Sequence, residues 1–304
     1  MGYLFAAATL VSWTVVTFVY RWANARKVHS YALLAGYGLA ALILDAALAV
    51  VVGADLRTAG RAQWGFGAAL GVATVVVLPV LMAAVARGEL AITWTIFTLA
   101  FALSSAVSIF YPDRSASAVG VVGLVLAAGA VALLGLDERR LQRDPHVPGA
   151  RRGWGPLMAL AFLLNAASLY FFRLGSHFAR PAGDGPGWDE KVAFLAAAHG
   201  VMLVSGLVLV AATRRAGGAR AALAPGIVGG IVIFCGGTFS VLALAAKLPG
   251  YVFFPMTNGG SALLVTVLSV LLLKERPGRM GWAGVAVGLA ALALLGLSQA
   301  VRNP

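Results

Sequence analysis

Charge is scarce in this chain. Asp, Glu, Lys and Arg together make up 11% of its 304 residues, while 61% are hydrophobic. A water-soluble domain carries about 25% charged and about 45–50% apolar residues. A soluble fold of this composition would have to expose large apolar patches. That excludes an ordinary globular domain and points to a bilayer, where lipid covers the apolar exterior. Cysteine is nearly absent. The single Cys235 excludes an intrachain disulfide and a cysteine-clustered metal site, and it reads as a small buried apolar residue. Histidine is also sparse. His29, His146, His177 and His199 are scattered, which argues against a clustered intramembrane active site, so no catalytic residues, metal or cofactor are expected. No G-x-x-x-x-G-K-[ST] phosphate cradle occurs, which argues against ATP-driven pumping.

Acid is the rarer sign. Eleven acidic against 23 basic residues give a formal net charge of +12. The basic residues lie between apolar runs and not along one face. That is the pattern of positive-inside loops near anionic headgroups, and nucleic acid is not an expected partner.

What is present is apolar length. A hydrocarbon core of about 30 Å needs about 20 apolar residues per helix. Such runs occupy 2–20, 30–52, 63–86, 90–110, 115–136, 154–173, 190–212, 221–246, 251–273 and 279–299. No short alternating strands occur, so the expected fold class is an all-α integral membrane protein of ten transmembrane helices, not a β-barrel. The first run lacks a preceding positive residue and is long for a signal sequence, so it is expected to stay as a span. Most connections are short. The longer ones are 137–153, basic and bearing Asp137, and 174–189, rich in Gly and Pro. Loops after the odd-numbered spans, the last counted through Arg279, hold 15 of the 23 Lys and Arg residues, which places 137–153 in the cytoplasm and both termini outside.

The chain also repeats itself. At an offset of 161 residues, Leu133-Leu134-Gly135-Leu136 falls on Leu294-Leu295-Gly296-Leu297, Gly120 and Gly123 on Gly281 and Gly284, and Ala130 and Ala132 on Ala291 and Ala293. Spans one and six correspond through Tyr20 with Phe172 and Arg21 with Arg173. The expectation is a first five-helix repeat over 1–136, an inter-repeat loop over 137–153, a second repeat over 154–299 and a tail over 300–304. Five is odd, so the second copy enters the membrane inverted. Such a pair has two nearly equivalent states, one open to each side, which is the basis of alternating access.

The run Leu271-Leu272-Leu273-Lys274-Glu275-Arg276-Pro277, then Gly284 and a small-residue helix to Leu297, preceded by Phe253-Phe254-Pro255-Met256-Thr257-Asn258-Gly259-Gly260, resembles the EamA-type branch of the drug/metabolite transporter superfamily. The resemblance implies ten helices in two five-helix repeats and export of metabolites, amino acids or drugs. It implies a multi-pass protein of the cell's inner or plasma membrane. The chain departs from the family at Arg114, beside Asp113, where a second Glu is common. Spans one and six carry no acid, so the proton coupling of the four-helix relatives, through a first-helix Glu, does not carry over. Some members have cytoplasmic termini, opposite to the charge bias here.

Individual residues suggest sites. Asp45 is the acid well inside a span, costing about 2.5–3.5 kcal/mol at a bilayer centre. It is either a protonatable coupling group or a residue reaching interfacial water. His199, mid-span, is either a proton-relay group or a neutral histidine bonded to a carbonyl. Trp94, Phe97, Phe101 and Ser104 share one helical face, as do Phe254, Thr257, Asn258 and Ser261, and Phe97 and Asn258 are equivalent in the repeat. Pro255 before Gly259-Gly260 suggests a local break that offers backbone groups to a substrate. Trp13, Thr17 and Tyr20, with Asn165, Ser168 and Phe172, add inward faces from spans one and six. Ordinary packing is the competing reading for all of these. Glycine pairs at 229–230 and 236–237, Gly284 with Gly288, and Gly123 with Ala127 read as packing positions or a homodimer seam. The expected function is secondary export of a small, partly apolar solute. An intramembrane enzyme on a lipid-linked substrate and a non-transporting membrane subunit are the alternatives.

Overall fold

The computed structural model describes residues 1–108, 118–143, 153–177, 187–213, 219–246, 253–275 and 277–300. They form ten long α-helices and no strand: α1 (Gly2–Ala25), α2 (Ser30–Val52), α3 (Arg61–Val85), α4 (Leu90–Ser108), α5 (Ala118–Arg143), α6 (Trp154–His177), α7 (Trp188–Thr213), α8 (Ala219–Ala245), α9 (Gly260–Leu273) and α10 (Arg279–Ala300). A π-helical turn, Pro255–Gly259, leads directly into α9. Among the described residues, eight helices are long and apolar enough to cross a membrane. That is the make-up of a multi-pass membrane protein. The other two, α4 and α10, contain shorter apolar stretches, Leu90–Leu103 and Arg279–Leu294.

The helices close their own polar groups, as a lipid environment requires. In α1 the hydroxyls of Thr9, Ser12, Thr14 and Thr17 each donate to the carbonyl four residues back, at 2.8–3.0 Å. His29 accepts from the Tyr31 N–H at the start of α2, and Gly53 ends that helix at φ 64°, a left-handed conformation glycine takes without strain.

Three helices clearly outrun the apolar signal, and α1 does so by ending at Ala25. α5 continues through Arg143, so the stretch 137–143, expected to open a loop, is helical. α6 continues through His177. The apolar count stops at the first charges, but a helix continues past the bilayer when its end is tied down, and α5 is tied at Asp137. The remaining loop stretches 109–117, 144–152 and 178–186, with Asp113, Arg114, His146 and Asp184, and the side chain of Ser104, lie outside the described residues.

The chain forms two compact units, and each draws helices from both halves of the sequence. The first comprises 1–82 and 167–246, the second 83–166 and 247–304. In the first unit α2 packs on α7 and α8, and α1 packs on α8. Glycine sets these spacings. A Cβ on Gly206 would sit 2.6 Å from the Ala35 nitrogen, and one on Gly38 would collide with the Leu203 nitrogen. These contacts make α2 and α7 antiparallel. Gly36 against Gly226, and Gly230 against Ala40, run α2 and α8 parallel, backbone nearly on backbone. In the second unit α5 packs on α10, and α4 on α9. Gly284 lies against Leu134, and Gly288 against Leu99 and Ala130, so α5 and α10 are antiparallel. The glycines singled out in α8 and α10 therefore pack against helices of the same chain.

Candidate functional site

Asp45 and His199 are brought together in the first unit. The His199 Nδ1 lies 2.6 Å from the Asp45 Oδ2, with the side chains 5% and 1% exposed. In an antiparallel pair, side chains leaning toward their own N-termini lean toward each other, which lets Asp45 on α2 reach His199 on α7. Gly38 permits the approach, because its missing Cβ clears the His199 carbonyl as well as Leu203. α3 presses in from another side through Gly67 on the Phe194 carbonyl and Gly71 on the Ala198 carbonyl. The Asp45 Oδ1 is buried and makes no hydrogen bond. The interfacial-water reading of Asp45 does not fit this burial, nor does a His199 bonded only to a carbonyl. Nearby on α2, the buried Tyr37 hydroxyl has no partner either, its ring lying against Gly229 and 6.2 Å from the Tyr20 ring.

The expected faces of spans four and nine meet in the second unit. The Trp94 Nε1 donates to the Ser261 Oγ at 3.0 Å. Trp94 and Phe97 rings lie 5.2 Å apart, and Phe101 stacks on Phe254 at 4.9 Å. Asn165 on α6 donates to the Phe97 carbonyl at 2.8 Å. Trp94, Phe101, Thr257 and Ser261 are all buried. The faces therefore close on one another, and a planar ligand between them would first have to part Phe101 from Phe254.

The expected break at Pro255 takes the form of the π-helical turn. Proline supplies no N–H, so carbonyls of the preceding turn lose a donor. Side chains replace it: the Thr257 Oγ1 donates to the Phe253 carbonyl at 2.9 Å and the Asn258 Nδ2 to the Phe254 carbonyl at 3.0 Å. A single π-turn inside a helix is frequent at functional sites.

Of the other expected site residues, Trp13, Thr17, Tyr20 and Ser168 belong to the first unit. The Thr17 hydroxyl is bonded to the Trp13 carbonyl at 2.8 Å, and a Cβ on Gly236 would touch the Trp13 ring at 3.4 Å. Phe172 packs edge-on against Phe194. Among the described residues no group of three or more His, Cys, Asp or Glu could hold a metal ion.

A solved structure has the same fold. Described only as "Crystal structure of protein", it superimposes with a TM-score of 0.59 over 100% of this chain and 99% of its own, at 16% sequence identity. No family model matches the chain, and no curated protein matches it.

Two carboxylates acquire roles that sequence reading missed. Glu275, just past α9, accepts the Leu90 and Ala91 N–H groups at 2.8 and 3.1 Å and so caps the start of α4. Asp137, late in α5 and buried, accepts the Gly278 N–H at 2.8 Å, at the start of α10. Each satisfies orphan donors at a helix N-terminus and sits at the positive end of its dipole. At this end of the second unit, four helix termini are therefore cross-tied. The signal was present in Lys274-Glu275-Arg276-Pro277, but it named a motif and not a partner.

Proposed function

We propose that the chain is a secondary transporter of the EamA type, moving a small, partly apolar metabolite across the cell's inner or plasma membrane by alternating access. The observation that carries this reading is the register of α4 on α9. Trp94 meets Ser261 and Phe101 meets Phe254, so the antiparallel contact is centred on Phe97 and Asn258. Those two positions are equivalent at the 161-residue offset. A contact centred on equivalent residues is what a half-turn axis between two inverted copies, 1–136 and 154–299, would produce. Helix directions support it as well. Antiparallel α2/α7, α4/α9 and α5/α10 with parallel α2/α8 are the directions of ten spans crossing alternately.

In this reading the aromatic face of α4 and the π-turn ahead of α9 form the solute site. Trp94, Phe97, Phe101 and Phe254 offer ring faces, while Asn165, Asn258, Thr257 and Ser261 offer polar groups. The apolar runs that carry them are poor in charge, which suits an uncharged, zwitterionic or aromatic solute better than an inorganic ion. Parting Phe101 from Phe254 would admit the solute, and the Pro255–Gly259 turn is where α9 can flex to do so.

The test is a proteoliposome screen of amino acids, aromatic metabolites and lipophilic drugs, with and without a pH gradient. Transport of at least one solute, abolished by Phe101→Ala with Trp94→Ala, is the expected result. No movement of any solute by monodisperse protein, or turnover of a lipid-linked compound instead, would remove the carrier reading.

A further inference from the structure

The buried Asp45–His199 contact has no packing purpose that an apolar pair would not serve better. Removing two ionisable groups from water is costly, and apolar replacements of a buried pair are often neutral or stabilising. The contact also leaves the Asp45 Oδ1 buried with no donor. Buried polar atoms are nearly always paired, so an orphan at a helix–helix contact asks for an explanation.

We infer that Asp45 and His199 form a single-proton binding site, the coupling-ion site of the carrier. The inference rests on the transporter reading above. The charge count decides the ligand. With one proton on the pair the site is net neutral, whichever residue holds it. With none it carries a full negative charge in an apolar bundle, with a bare Oδ1. The closed geometry therefore suits the one-proton form, and losing that proton requires water to reach the Asp45 carboxylate. Opening to one side of the membrane is what supplies that water, which ties proton exchange to the conformational cycle. A sodium ion fits poorly. It needs several oxygen ligands, and the 2.6 Å separation of Oδ2 from Nδ1 leaves no room between them.

Among the described residues, no further ion pair reaches Asp45 or His199. α3 carries no titratable side chain after Arg61. α8 contributes Cys235, and α1 contributes Tyr20, whose ring meets Tyr37 on α2. Glu190 and Lys191 lie in the first turn of α7, about 12–14 Å along the axis from His199 at about 1.5 Å per residue.

The experiment needs no solute, so its outcome is separable from that of the transport screen. Purified protein in lipid nanodiscs is titrated from mildly acidic to mildly alkaline pH and followed by infrared difference spectroscopy in the protonated-carboxyl and imidazole-ring regions, in sodium chloride and in choline chloride. The expected result is a carboxyl or imidazole band that titrates in the wild type, is lost or moved in Asp45→Asn, moves its midpoint in His199→Gln and ignores sodium. Equal titration in wild type and Asp45→Asn, or a midpoint that follows sodium, overturns the inference. If Asp45→Asn does not yield monodisperse protein, His199→Gln decides, and an unmoved midpoint overturns it.

Discussion

Replacing Glu275 by alanine should loosen the start of α4 and leave the rest of the second unit closed. The carboxylate receives two backbone N–H groups at 2.8 and 3.1 Å. A hydrogen bond to a charged group contributes about 1.5–3 kcal/mol, and loss of an N-cap costs about 0.5–2 kcal/mol. The two bonds share one side chain, and Glu275 is only half-buried, so water recovers part of the loss. The net cost is therefore about 1.5–2.5 kcal/mol. At about 1.4 kcal/mol per factor of ten, the Leu90 and Ala91 amides should exchange with deuterium roughly ten- to sixty-fold faster. Glu275→Gln keeps an acceptor but loses the charge, and should fall between the variant and the wild type. Residue-resolved hydrogen exchange in nanodiscs is the assay. Amides of α5 and α10 serve as the internal control, because their cap, Asp137, is untouched. Unchanged exchange at Leu90 and Ala91 in Glu275→Ala would refute the capping argument, because it would mean these donors are satisfied some other way.

Three further outcomes follow from single contacts. Tyr37→Phe removes a buried hydroxyl with no partner, and should raise the detergent-denaturation midpoint or leave it unchanged, where a bonded tyrosine would lose about 1 kcal/mol. Gly278→Ala would drive a methyl group into the Asp137 carboxylate, and should destabilise the protein by about 1–3 kcal/mol in thermal melts, with little added by Asp137→Ala in the same chain. Trp94→Phe and Ser261→Ala should show a coupling of about 0.5–1.5 kcal/mol in a double-mutant cycle, because each removes one end of the same hydrogen bond; additive effects would mean that the bond contributes nothing.

The helices were legible because lipid imposes one simple demand, a run of apolar residues as long as the hydrocarbon is thick. Nine of the ten expected segments start within three residues of a helix in the structure, and the tenth, at 251, is displaced by the π-turn. Where the sequence misled, charge was the reason. Asp137-Glu138-Arg139-Arg140 reads as the end of a span, but α5 carries it on as helix to place Asp137 under Gly278. The glycines could be read as packing positions from composition alone. Which helix each one faces could not, since Gly229 meets Tyr37 across nearly the whole first unit of sequence.

Asp45 and His199 illustrate the limit more sharply. Each was visible singly as an ionisable residue inside an apolar run, and each had an equally good local explanation. They lie 154 positions apart, and nothing in either segment's periodicity points at the other. Their contact depends on α2 and α7 packing antiparallel at close range, and that depends on Gly38 and Gly206, which are unremarkable among 37 glycines. Two weak local signals became one specific site only through packing. The same dependence predicts how the site should fail: a methyl group at Gly38, a residue with no titratable chemistry, should separate the pair as surely as removing either partner.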